Sequence, residues 1–363
     1  MNRFWSTTLN RLSPYVPGEQ AQRDDVIKLN TNEHALAPSD AAIEMGRSLD
    51  PERLRKYPDP HSKALTSVIA DVCGVLDENV LVANGSDEIL AFAWTAFLSD
   101  SERQPAIPAM TYTFYPVWAQ LLGKGLQRVP MKDDLSIDLE ALASWPGPVV
   151  FPNPNAPTAM AVSLSDIETL CASNLDRLVI IDEAYHGFGA ETAVPLIARF
   201  DNLLISRSFS KSHALAGLRV GYALGAPELI EGLRRVKDSF NSYPVDAHAQ
   251  AVAAAAIVDT QWFEQASNTI KQNRRELKTG LEGLGFRVLA SEANFLLARH
   301  PNFSGIELTE RLREAGILVR SWSSDDWKPW VRITVGTISQ QQVLLAELAK
   351  RMGEAYLPQL ICA

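Results

Sequence analysis

The sequence has 363 residues, of which 46% are hydrophobic and 21% are charged, as in an ordinary globular protein. This length suits two domains, or one large domain with an appendage, better than one simple core. The formal net charge of −9 argues against a general nucleic-acid binder and a polybasic membrane anchor. An anionic ligand must therefore meet a local positive pocket.

The N-terminus and the cysteines indicate the compartment. Residues 1–20 lack the continuous apolar core of a signal peptide, and no later run approaches a membrane span in length. Cys73, Cys171 and Cys362 have no C-x-x-C spacing, which favours a reducing environment. We therefore expect a cytoplasmic protein. The histidines lack metal-ligand spacing, so no metal site is expected.

Residues 80–235 alternate short apolar runs with helix-like segments. The runs "NVLVA", "PVVFP", "LVIID" and "NLLIS" predict buried strands, and "APELIEGLRRVKDSF" predicts an amphipathic helix. "SLSDIETLCAS" predicts another helix, which we expect to begin at a capping box of Ser165 and Glu168. This order predicts an α/β fold built on a large, mostly parallel sheet with helices on both faces.

The pattern changes after "NSYPVD" at residues 241–246. An Ala-rich helical stretch and a long charged one are followed by short β-like runs, which predicts a smaller α+β domain. We predict an N-terminal arm at residues 1–35, a large domain at 36–245 and a small C-terminal domain at 246–363.

Four predicted strands stop abruptly at polar clusters, "NGSDE", "NPN", "DEAY" and "SFSK". Ligands of open parallel sheets bind at the carboxyl ends of the strands. These four segments are therefore expected to converge on one site.

The last of these clusters places Lys211 between small hydroxyl residues. A strand-end lysine whose pKa is lowered by burial and by nearby cations can form a Schiff base with an aldehyde cofactor. Ser208, Ser210 and Arg219 can hold a phosphate. The Gly85–Ser86 turn adds a helix N-terminus, which favours the same anion. Taken alone, Lys211 fits a solvated loop equally well.

Asp182 follows a run of apolar strand residues, where a carboxylate is costly unless it serves a purpose. It can pair with a pyridinium nitrogen and keep that ring electron-withdrawing, or it can simply cap a helix. Tyr185 can hydrogen-bond the ring's phenolic oxygen, Asn155 offers an amide, and Tyr112 offers a face for stacking. Glu183 is interpreted as structural. Together these segments indicate an aldehyde-bearing, phosphorylated, flat heteroaromatic cofactor, pyridoxal phosphate.

Motifs along nearly the whole chain resemble those of the fold-type I pyridoxal-phosphate-dependent aminotransferases, and among them the histidinol-phosphate aminotransferase subfamily. The motifs are "LSPYVPGEQ", "IKLNTNE", "KYPDP", "NGSDE", "TYTFYP", "FPNPNAPT", "IDEAY", "SFSKSHALAGLRVG", "ANFLLAR" and "VRITVGT". "SxSKxxxLAGLRxG" with an upstream "DEAY" is highly specific for the cofactor. The resemblance implies a large αβα-sandwich domain, a smaller α+β domain and transamination between histidinol phosphate and 2-oxoglutarate.

The resemblance also implies residue roles. Lys211 resembles the Schiff-base lysine and Asp182 the partner of the pyridine nitrogen. The residues that resemble the remaining cofactor contacts are Tyr185 and Asn155 at the phenolic oxygen, Tyr112 on the ring face, and Ser208, Ser210, Arg219 and the Gly85-Ser86-Asp87 turn at the phosphate.

Three further residues resemble contacts made outside the cofactor's own pocket. Tyr57 in "KYPDP" resembles a tyrosine that family members supply to the neighbouring subunit's cofactor phosphate, which implies a homodimer with shared sites. Arg332 resembles the arginine that grips the substrate carboxylate, for which a planar fork is well suited. Arg320 resembles the arginine that meets the substrate's distal phosphate.

The chain departs from the family at "NEHALA", where many members read "NENPYG". Leu36 replaces a tyrosine that helps to hold the substrate, His34 replaces an asparagine, and Ala159 replaces the glycine of "NPTG". Either His34 supplies the lost contact, or the pocket is rebuilt for another amino acid with Trp322 as a wall, or the loop simply varies.

Other functions stay open on the sequence alone. They are a specialised aminotransferase for another amino acid, a decarboxylase, eliminase or cyclase on the same cofactor, and a non-enzymatic cofactor-binding module. The lack of a basic helix-turn-helix appendage argues against a regulator. His186 and His213 are interpreted as neighbours of the site rather than as catalysts.

Overall fold

The computed structural model describes residues 3–21, 23, 25–48 and 50–353, so Cys362 lies outside the described residues. The helices are α1 (Thr7–Arg11), α2 (Asp40–Arg47), α3 (Lys63–Cys73), α4 (Gly85–Ala93), α5 (Tyr115–Leu121), α6 (Leu139–Ser144), α7 (Leu164–Ala172), α8 (Phe209–Ser212), α9 (Pro227–Phe240), α10 (Ala247–Val258), α11 (Thr260–Gly283), α12 (Gly305–Glu314) and α13 (Ile338–Met352). The strands are β1 (Ile27–Lys28), β2 (Val80–Ala83), β3 (Ala106–Pro108), β4 (Gln127–Val129), β5 (Val149–Pro152), β6 (Val179–Asp182), β7 (Leu203–Ser208), β8 (Gly221–Gly225), β9 (Arg287–Val288), β10 (Phe295–Arg299), β11 (Ile317–Leu318), β12 (Arg320–Ser321) and β13 (Trp330–Thr334).

Within the described residues, the central sheet has seven strands in the order β2-β8-β7-β6-β5-β3-β4. β8 runs antiparallel to β2 and β7, and the other neighbouring strands pair in parallel. Val179 and Ile181 of β6 pack into one hydrophobic cluster while Ile180 packs into another. Successive side chains of a strand point to opposite faces, so both faces of the sheet are covered. The predicted α/β fold with a mostly parallel sheet is confirmed.

The carboxyl ends of β2, β5, β6 and β7 lie at one edge of this sheet. Pro152, the last residue of β5, pairs with Asp182 of β6, and Asp182 in turn pairs with Ser206 of β7. The polar clusters that follow these strands therefore begin side by side.

A second unit forms around the antiparallel sheet β12-β13-β10-β9. Its separate core includes Leu277, Leu296, Ile333 and Leu344. The end of the arm belongs to this unit, because Ile27 of β1 pairs with Ile317 of β11.

α10 lies on the other side of the predicted domain boundary. Its residues Ala249, Val252 and Ala253 share one core with Leu65 and Ile69 of α3, and α10 also contacts α2. This packing favours a boundary after α10 rather than at residue 246, and the division into domains stays a prediction.

The start of α7 also differs from the prediction. Ser163, not Ser165, is the N-cap residue, and its Oγ accepts a hydrogen bond from the backbone N–H of Asp166 at 3.1 Å. An N-cap residue needs an extended backbone, which Ser163 has, with ψ of 154°. Ser165 already lies inside the helix, and Glu168 pairs with Arg199 instead.

No helix in the described part of the chain combines the length and the hydrophobicity that a bilayer span requires.

Candidate active site

A cavity of about 320 Å³ lies at the carboxyl edge of the central sheet, between the arm and the two sheets. The predicted residues that line it are Ser86, Asp87, Tyr112, Asp182, Tyr185, Ser208, Ser210, Lys211, Arg219, Arg320 and Arg332. The convergence of the strand-end clusters on one cavity is therefore present in the structure.

Lys211 belongs to the short helix α8, directly after β7. Its Nζ donates a hydrogen bond to the carbonyl oxygen of Thr31 at 2.7 Å. Burial and the nearby Arg332 guanidinium lower the pKa of Lys211 from 10.5 to about 8. The lysine amine therefore has a substantial neutral fraction near neutral pH, as a nucleophile or a base requires.

Asp182 ends β6, and its carboxyl group is buried. The backbone N–H of Ala184 donates to Oδ1 at 3.1 Å, and the hydroxyl of Tyr115 donates to Oδ2 at 3.3 Å. Burial raises the pKa of Asp182 to about 7. A cationic group in the cavity would favour the charged form of this carboxyl, because an opposite charge nearby lowers the pKa of an acid.

The N-terminus of α4 and Arg219 form a positively polarised corner of the cavity. Gly85 has φ of +78°, and a Cβ atom there would lie 2.6 Å from Nη2 of Arg219. Nη1 of Arg219 donates to Oγ of Ser210 at 3.3 Å, and the N–H of Ser210 donates to Oγ of Ser208 at 3.1 Å. The free N–H groups of a helix N-terminus, two hydroxyls and a guanidinium are a suitable set of donors for a phosphate.

Asp87 connects this corner to Tyr112. Oδ1 of Asp87 accepts a hydrogen bond from the Tyr112 hydroxyl at 3.0 Å, and Oδ2 pairs with Arg219 at 3.2 Å. The ring of Tyr112 contacts those of Tyr15 and Tyr115 edge to face, so it lies fixed in the cavity wall.

Tyr185 enters the cavity from the loop after β6. Its ring lies edge to face on Phe295, at a centroid distance of 5.0 Å. Its hydroxyl oxygen accepts a hydrogen bond from Nδ2 of Asn32 at 2.9 Å. Burial raises the pKa of Tyr185, so the phenol is neutral and can donate its own proton.

Arg320 and Arg332 lie directly opposite each other on the paired strands β12 and β13. Nη2 of Arg332 donates to the carbonyl oxygen of Asn30 at 2.7 Å, whereas its buried Nε finds no hydrogen-bond partner among the described residues. The indole of Trp322 lies 5.9 Å from the Arg332 guanidinium carbon and is part of the cavity lining.

Asn155 was expected at the cofactor ring, and the structure does not bring it into the cavity lining. Its Nδ2 donates to the carbonyl oxygen of Met110 at 2.9 Å and to Oγ1 of Thr158 at 3.0 Å. Its Oδ1 accepts from Thr111 at 3.1 Å. Both amide hydrogens are therefore used to hold the loop, and the neighbouring Ala156 faces the cavity instead.

Tyr57 lies outside the cavity lining of its own chain. Its side chain is 83% exposed and stacks on Tyr243 at a centroid distance of 4.7 Å.

His34 and Leu36, the residues at which "NEHALA" differs from the family pattern, lie outside the described cavity lining. His34 packs against Phe188 and Trp262, and its Nδ1 accepts from the N–H of Leu36 at 3.0 Å. Burial lowers the pKa of His34 to about 4. Neither His34 nor Leu36 is among the described residues that line the cavity, so of the three alternatives for this loop a substrate contact from His34 is the one that this geometry does not support. Ala159 has φ of +63°, a left-handed conformation that favours glycine.

His186 and His213 lie on the far side of the loops that carry Tyr185 and Lys211. Their rings lie 6.2 Å apart and both stack on Phe263. Burial lowers the pKa of His213 to about 3, so it is a neutral packing residue. They line a different cavity, in agreement with their interpretation as neighbours of the site.

Comparison of the sequence and the fold with those of known proteins identifies the family. The model of the family "Aminotransferase class I and II" matches residues 24–348. The chain belongs to the class I and II aminotransferases. The histidinol-phosphate aminotransferase of Gluconacetobacter diazotrophicus is 49% identical to this aminotransferase over 344 residues, which cover 95% of this chain and 96% of that protein.

One further relative agrees with this assignment, and a solved structure shares the fold. The histidinol-phosphate aminotransferase of Acetobacter pasteurianus is 48% identical over 349 residues, or 96% of this chain and 98% of that one. A crystal structure of histidinol-phosphate aminotransferase from Sinorhizobium meliloti in complex with pyridoxal-5'-phosphate shares the fold, with a TM-score of 0.86 at 23% identity and coverage of 96% and 98% of the two chains.

Pyridoxal phosphate is the cofactor of this family, and the residues of the aminotransferase's cavity fit it. The glycine at position 85 leaves the α4 N-terminus open beside Arg219, where a Cβ atom would obstruct it. The cavity also presents an amine of lowered pKa at Lys211 and a buried carboxyl at Asp182. These are the groups that a phosphate, an aldehyde and a pyridine nitrogen need.

Sequence reasoning assigned no role to several residues that contribute to the aminotransferase's cavity. Thr31, Asn32 and Glu33 come from the arm, in the motif "IKLNTNE", and Tyr15 comes from "LSPYVPGEQ". Both motifs belong to the family resemblance, which was the signal in the sequence that could have pointed to these residues. The strand-end pattern could not find them, because their polar side chains follow no predicted strand of the large sheet.

Proposed function

We propose that this aminotransferase transfers the amino group of histidinol phosphate to 2-oxoglutarate, giving imidazole-acetol phosphate and glutamate. Its relatives of nearly 50% identity carry the name histidinol-phosphate aminotransferase. Both amino compounds of this reaction carry an anionic group beyond the reacting carbon, so the site has to bind anions of two different shapes.

The observation that carries this proposal is the pair of Arg320 and Arg332 across β12 and β13. Like charges directly opposite each other on neighbouring strands are destabilising, so this arrangement is suited to an anion that neutralises both. In the part of the chain that the structure describes, the buried Nε of Arg332 has no hydrogen-bond partner, and leaving such a donor unsatisfied costs about 1–3 kcal/mol. A carboxylate or phosphate oxygen of the substrate would satisfy it.

Bound pyridoxal phosphate supplies an aldehyde that takes up the amino group and a protonated ring that withdraws electrons. The neutral amine of Lys211 holds the cofactor and, once free, moves the proton from the substrate carbon. The carboxylate of Asp182 keeps the ring nitrogen protonated, and the Tyr185 hydroxyl donates to the ring's phenolic oxygen. Tyr112 supplies a face for the ring, in the part of the wall that Asp87 fixes.

The phosphate is assigned to the corner formed by the α4 N-terminus and Arg219. The contacts proposed for it are the backbone N–H groups of Ser86 and Asp87, the hydroxyls of Ser208 and Ser210, and the Arg219 guanidinium. Arg219 pairs with Asp87, which holds the guanidinium in place for the anion.

The test of the substrate is the ratio of kcat/KM for histidinol phosphate to that for phenylalanine, aspartate and phosphothreonine. We expect histidinol phosphate to be favoured at least about tenfold, or about 1.4 kcal/mol in transition-state free energy. Arg320→Met should abolish this preference, whereas Arg235→Met removes an exposed guanidinium outside the cavity lining and should leave it unchanged. A better reaction with one of the other amino acids would assign the enzyme to another substrate.

The proposed assembly is a homodimer in which Tyr57 completes the partner's phosphate site, and the proposed compartment is the cytoplasm. The exposure of Tyr57 and its absence from the described lining of its own cavity support the shared site. Mixing Tyr57→Phe subunits with Lys211→Ala subunits tests it. If Tyr57 acts in the partner's site, each mixed dimer has one intact site and one doubly altered site, so activity rises above that of both parents. If Tyr57 acts in its own chain, every site keeps a lesion and no activity is gained.

A further inference from the structure

Three consecutive residues of the arm each hold one functional side chain of the cavity. The carbonyl oxygen of Asn30 accepts from Arg332 at 2.7 Å, and the carbonyl oxygen of Thr31 accepts from Lys211 at 2.7 Å. Nδ2 of Asn32 donates to the hydroxyl oxygen of Tyr185 at 2.9 Å. The arm contributes backbone carbonyl oxygens to the first two contacts and the Asn32 side chain to the third, so the third can be removed by substituting an arm residue.

Asn32 is itself held by the small sheet. Its backbone N–H donates to Oγ1 of Thr334 at 3.0 Å, and its carbonyl oxygen accepts from Nδ2 of Asn294 at 3.0 Å. The residue is buried and has φ of +54°, a left-handed conformation that asparagine tolerates better than most residues. Thr334 is the last residue of β13, the strand that carries Arg332.

Counting the available protons gives the direction of each hydrogen bond in the series from Thr334 through Asn32 to Tyr185. A hydroxyl group has one proton to donate, and Thr334 uses its oxygen to accept from the Asn32 N–H. Its proton is therefore free for Oδ1 of Asn32, which lies 3.1 Å away. An amide oxygen fixed on Thr334 turns the amide nitrogen of Asn32 toward Tyr185.

The same counting applies to Tyr185. Its oxygen accepts from Asn32, so its own proton is directed to another acceptor, on the cavity side of the ring. The charged groups that face the phenol are the Arg332 guanidinium and the Asp182 carboxyl. Neither is a hydrogen-bond partner of the Tyr185 hydroxyl in the described residues, so Asn32 is the group that orients it.

We propose that Asn32 is a positioning residue that directs the Tyr185 hydroxyl proton into the cavity and that Thr334 fixes the orientation of the Asn32 amide. This proposal rests on the proposed contact between Tyr185 and the cofactor's phenolic oxygen. Through it, the small sheet, the arm and the large domain together determine how that oxygen is held.

The test measures the pH midpoint of the visible absorbance change of bound pyridoxal phosphate, together with the cofactor's dissociation constant from tryptophan fluorescence. A hydrogen bond donated to the phenolic oxygen stabilises negative charge there and makes the bound cofactor less basic. We expect Tyr185→Phe and Asn32→Gly each to raise the midpoint by about half a pH unit or more, the size of one ordinary hydrogen bond. Glycine keeps the left-handed backbone, so the variant isolates the amide.

Asn32→Asp provides a second variant that retains the shape of the side chain and replaces the donor with an acceptor. It should also raise the midpoint, because the phenol proton then turns toward residue 32. Thr334→Val should raise it in the same direction by a smaller amount. Asn273→Ala is the matched control: it removes a buried amide that donates to the carbonyl oxygen of Gly336 at 3.0 Å, and it should leave the midpoint unchanged.

A double substitution decides whether Asn32 acts through Tyr185. In the Tyr185→Phe protein, Asn32→Gly should add no further shift. Suppose that Tyr185→Phe itself shifts the midpoint. An undiminished shift from Asn32→Gly in the Tyr185→Phe protein, or an unchanged midpoint in both Asn32 variants, then overturns the role of Asn32 and leaves the role of Tyr185 intact. If Tyr185→Phe has no effect while borohydride still fixes the cofactor to Lys211, the role of Tyr185 fails, and the proposal fails with it.

Discussion

The buried ion pair between Glu183 and Arg207 is expected to be one of the most sensitive points for the stability of this aminotransferase. Glu183 directly follows Asp182, but its carboxylate faces away from the cavity. Its Oε2 accepts from Nε of Arg207 at 2.9 Å and lies 2.8 Å from Nη2. The backbone N–H of Ala193 donates to Oε1 at 2.6 Å, and the single hydroxyl proton of Thr192 lies between the two carboxylate oxygens, with Oγ1 3.1 Å from Oε1 and 2.9 Å from Oε2.

We expect Glu183→Gln to lower the free energy of unfolding by about 3 kcal/mol, within the range of about 3–5 kcal/mol for breaking a buried pair. Arg207 is only 7% exposed, so water cannot replace the lost charge. Arg207→Met should have a similar cost. The double variant should be more stable than the sum of the single effects predicts, by about 1–3 kcal/mol, because neither charge is then left alone.

Urea unfolding of the four proteins at one fixed subunit concentration measures these differences, because the stability of the proposed dimer would depend on concentration. Glu168→Gln is the control, because it breaks the exposed pair with Arg199, and its midpoint should stay that of the unaltered protein. A loss below about 1 kcal/mol for Glu183→Gln, the range of a surface pair, would refute the reasoning. Purely additive single effects would do so as well.

Three further predictions follow from the site. Gly85→Ala should weaken pyridoxal phosphate binding more than tenfold in a fluorescence titration, because its Cβ atom would displace Arg219. Gly74 has a similar positive φ of +68° but open space around it, so Gly74→Ala is the control and should leave binding unchanged. In the cofactor-free protein, acylation of Lys211 followed by peptide mapping should show a midpoint near pH 8; a midpoint near 10 contradicts the lowered pKa. Because the pKa of Asp182 is raised to about 7, its protonated form stabilises the cofactor-free fold at low pH, and this contribution is lost as the pH rises toward 7. Asp182→Asn should therefore reduce the loss of stability between pH 5 and 8, and an unchanged pH profile would contradict the assignment.

The sequence by itself determined the sheet and the place of the site. "LVIID" and "NLLIS" are short apolar runs between helix-like segments, a pattern that predicts strands buried on both faces. β6 and β7 are such strands, since their successive side chains pack into hydrophobic clusters on opposite faces of the sheet. A parallel sheet brings the carboxyl ends of its strands to one edge, so local patterns were enough to place Asp182, Tyr185 and Lys211 together.

Only the tertiary structure decided which neighbouring side chains face the cavity. Asn155 and Ala156 are adjacent in a loop, where no fixed period relates sequence to side-chain direction. The amide of Asn155 is held by the backbone oxygen of Met110 and the hydroxyl of Thr158, while Ala156 lines the cavity.

The hydrogen bonds that join the arm to the rest of the molecule were equally beyond the sequence. Asn32 reaches Tyr185 across 153 residues and Thr334 across 302. Such contacts depend on how the small sheet packs beside the large one, and no local pattern encodes that packing. The sequence therefore specifies the strand ends that form the site, while the fold supplies the distant residues that orient its side chains.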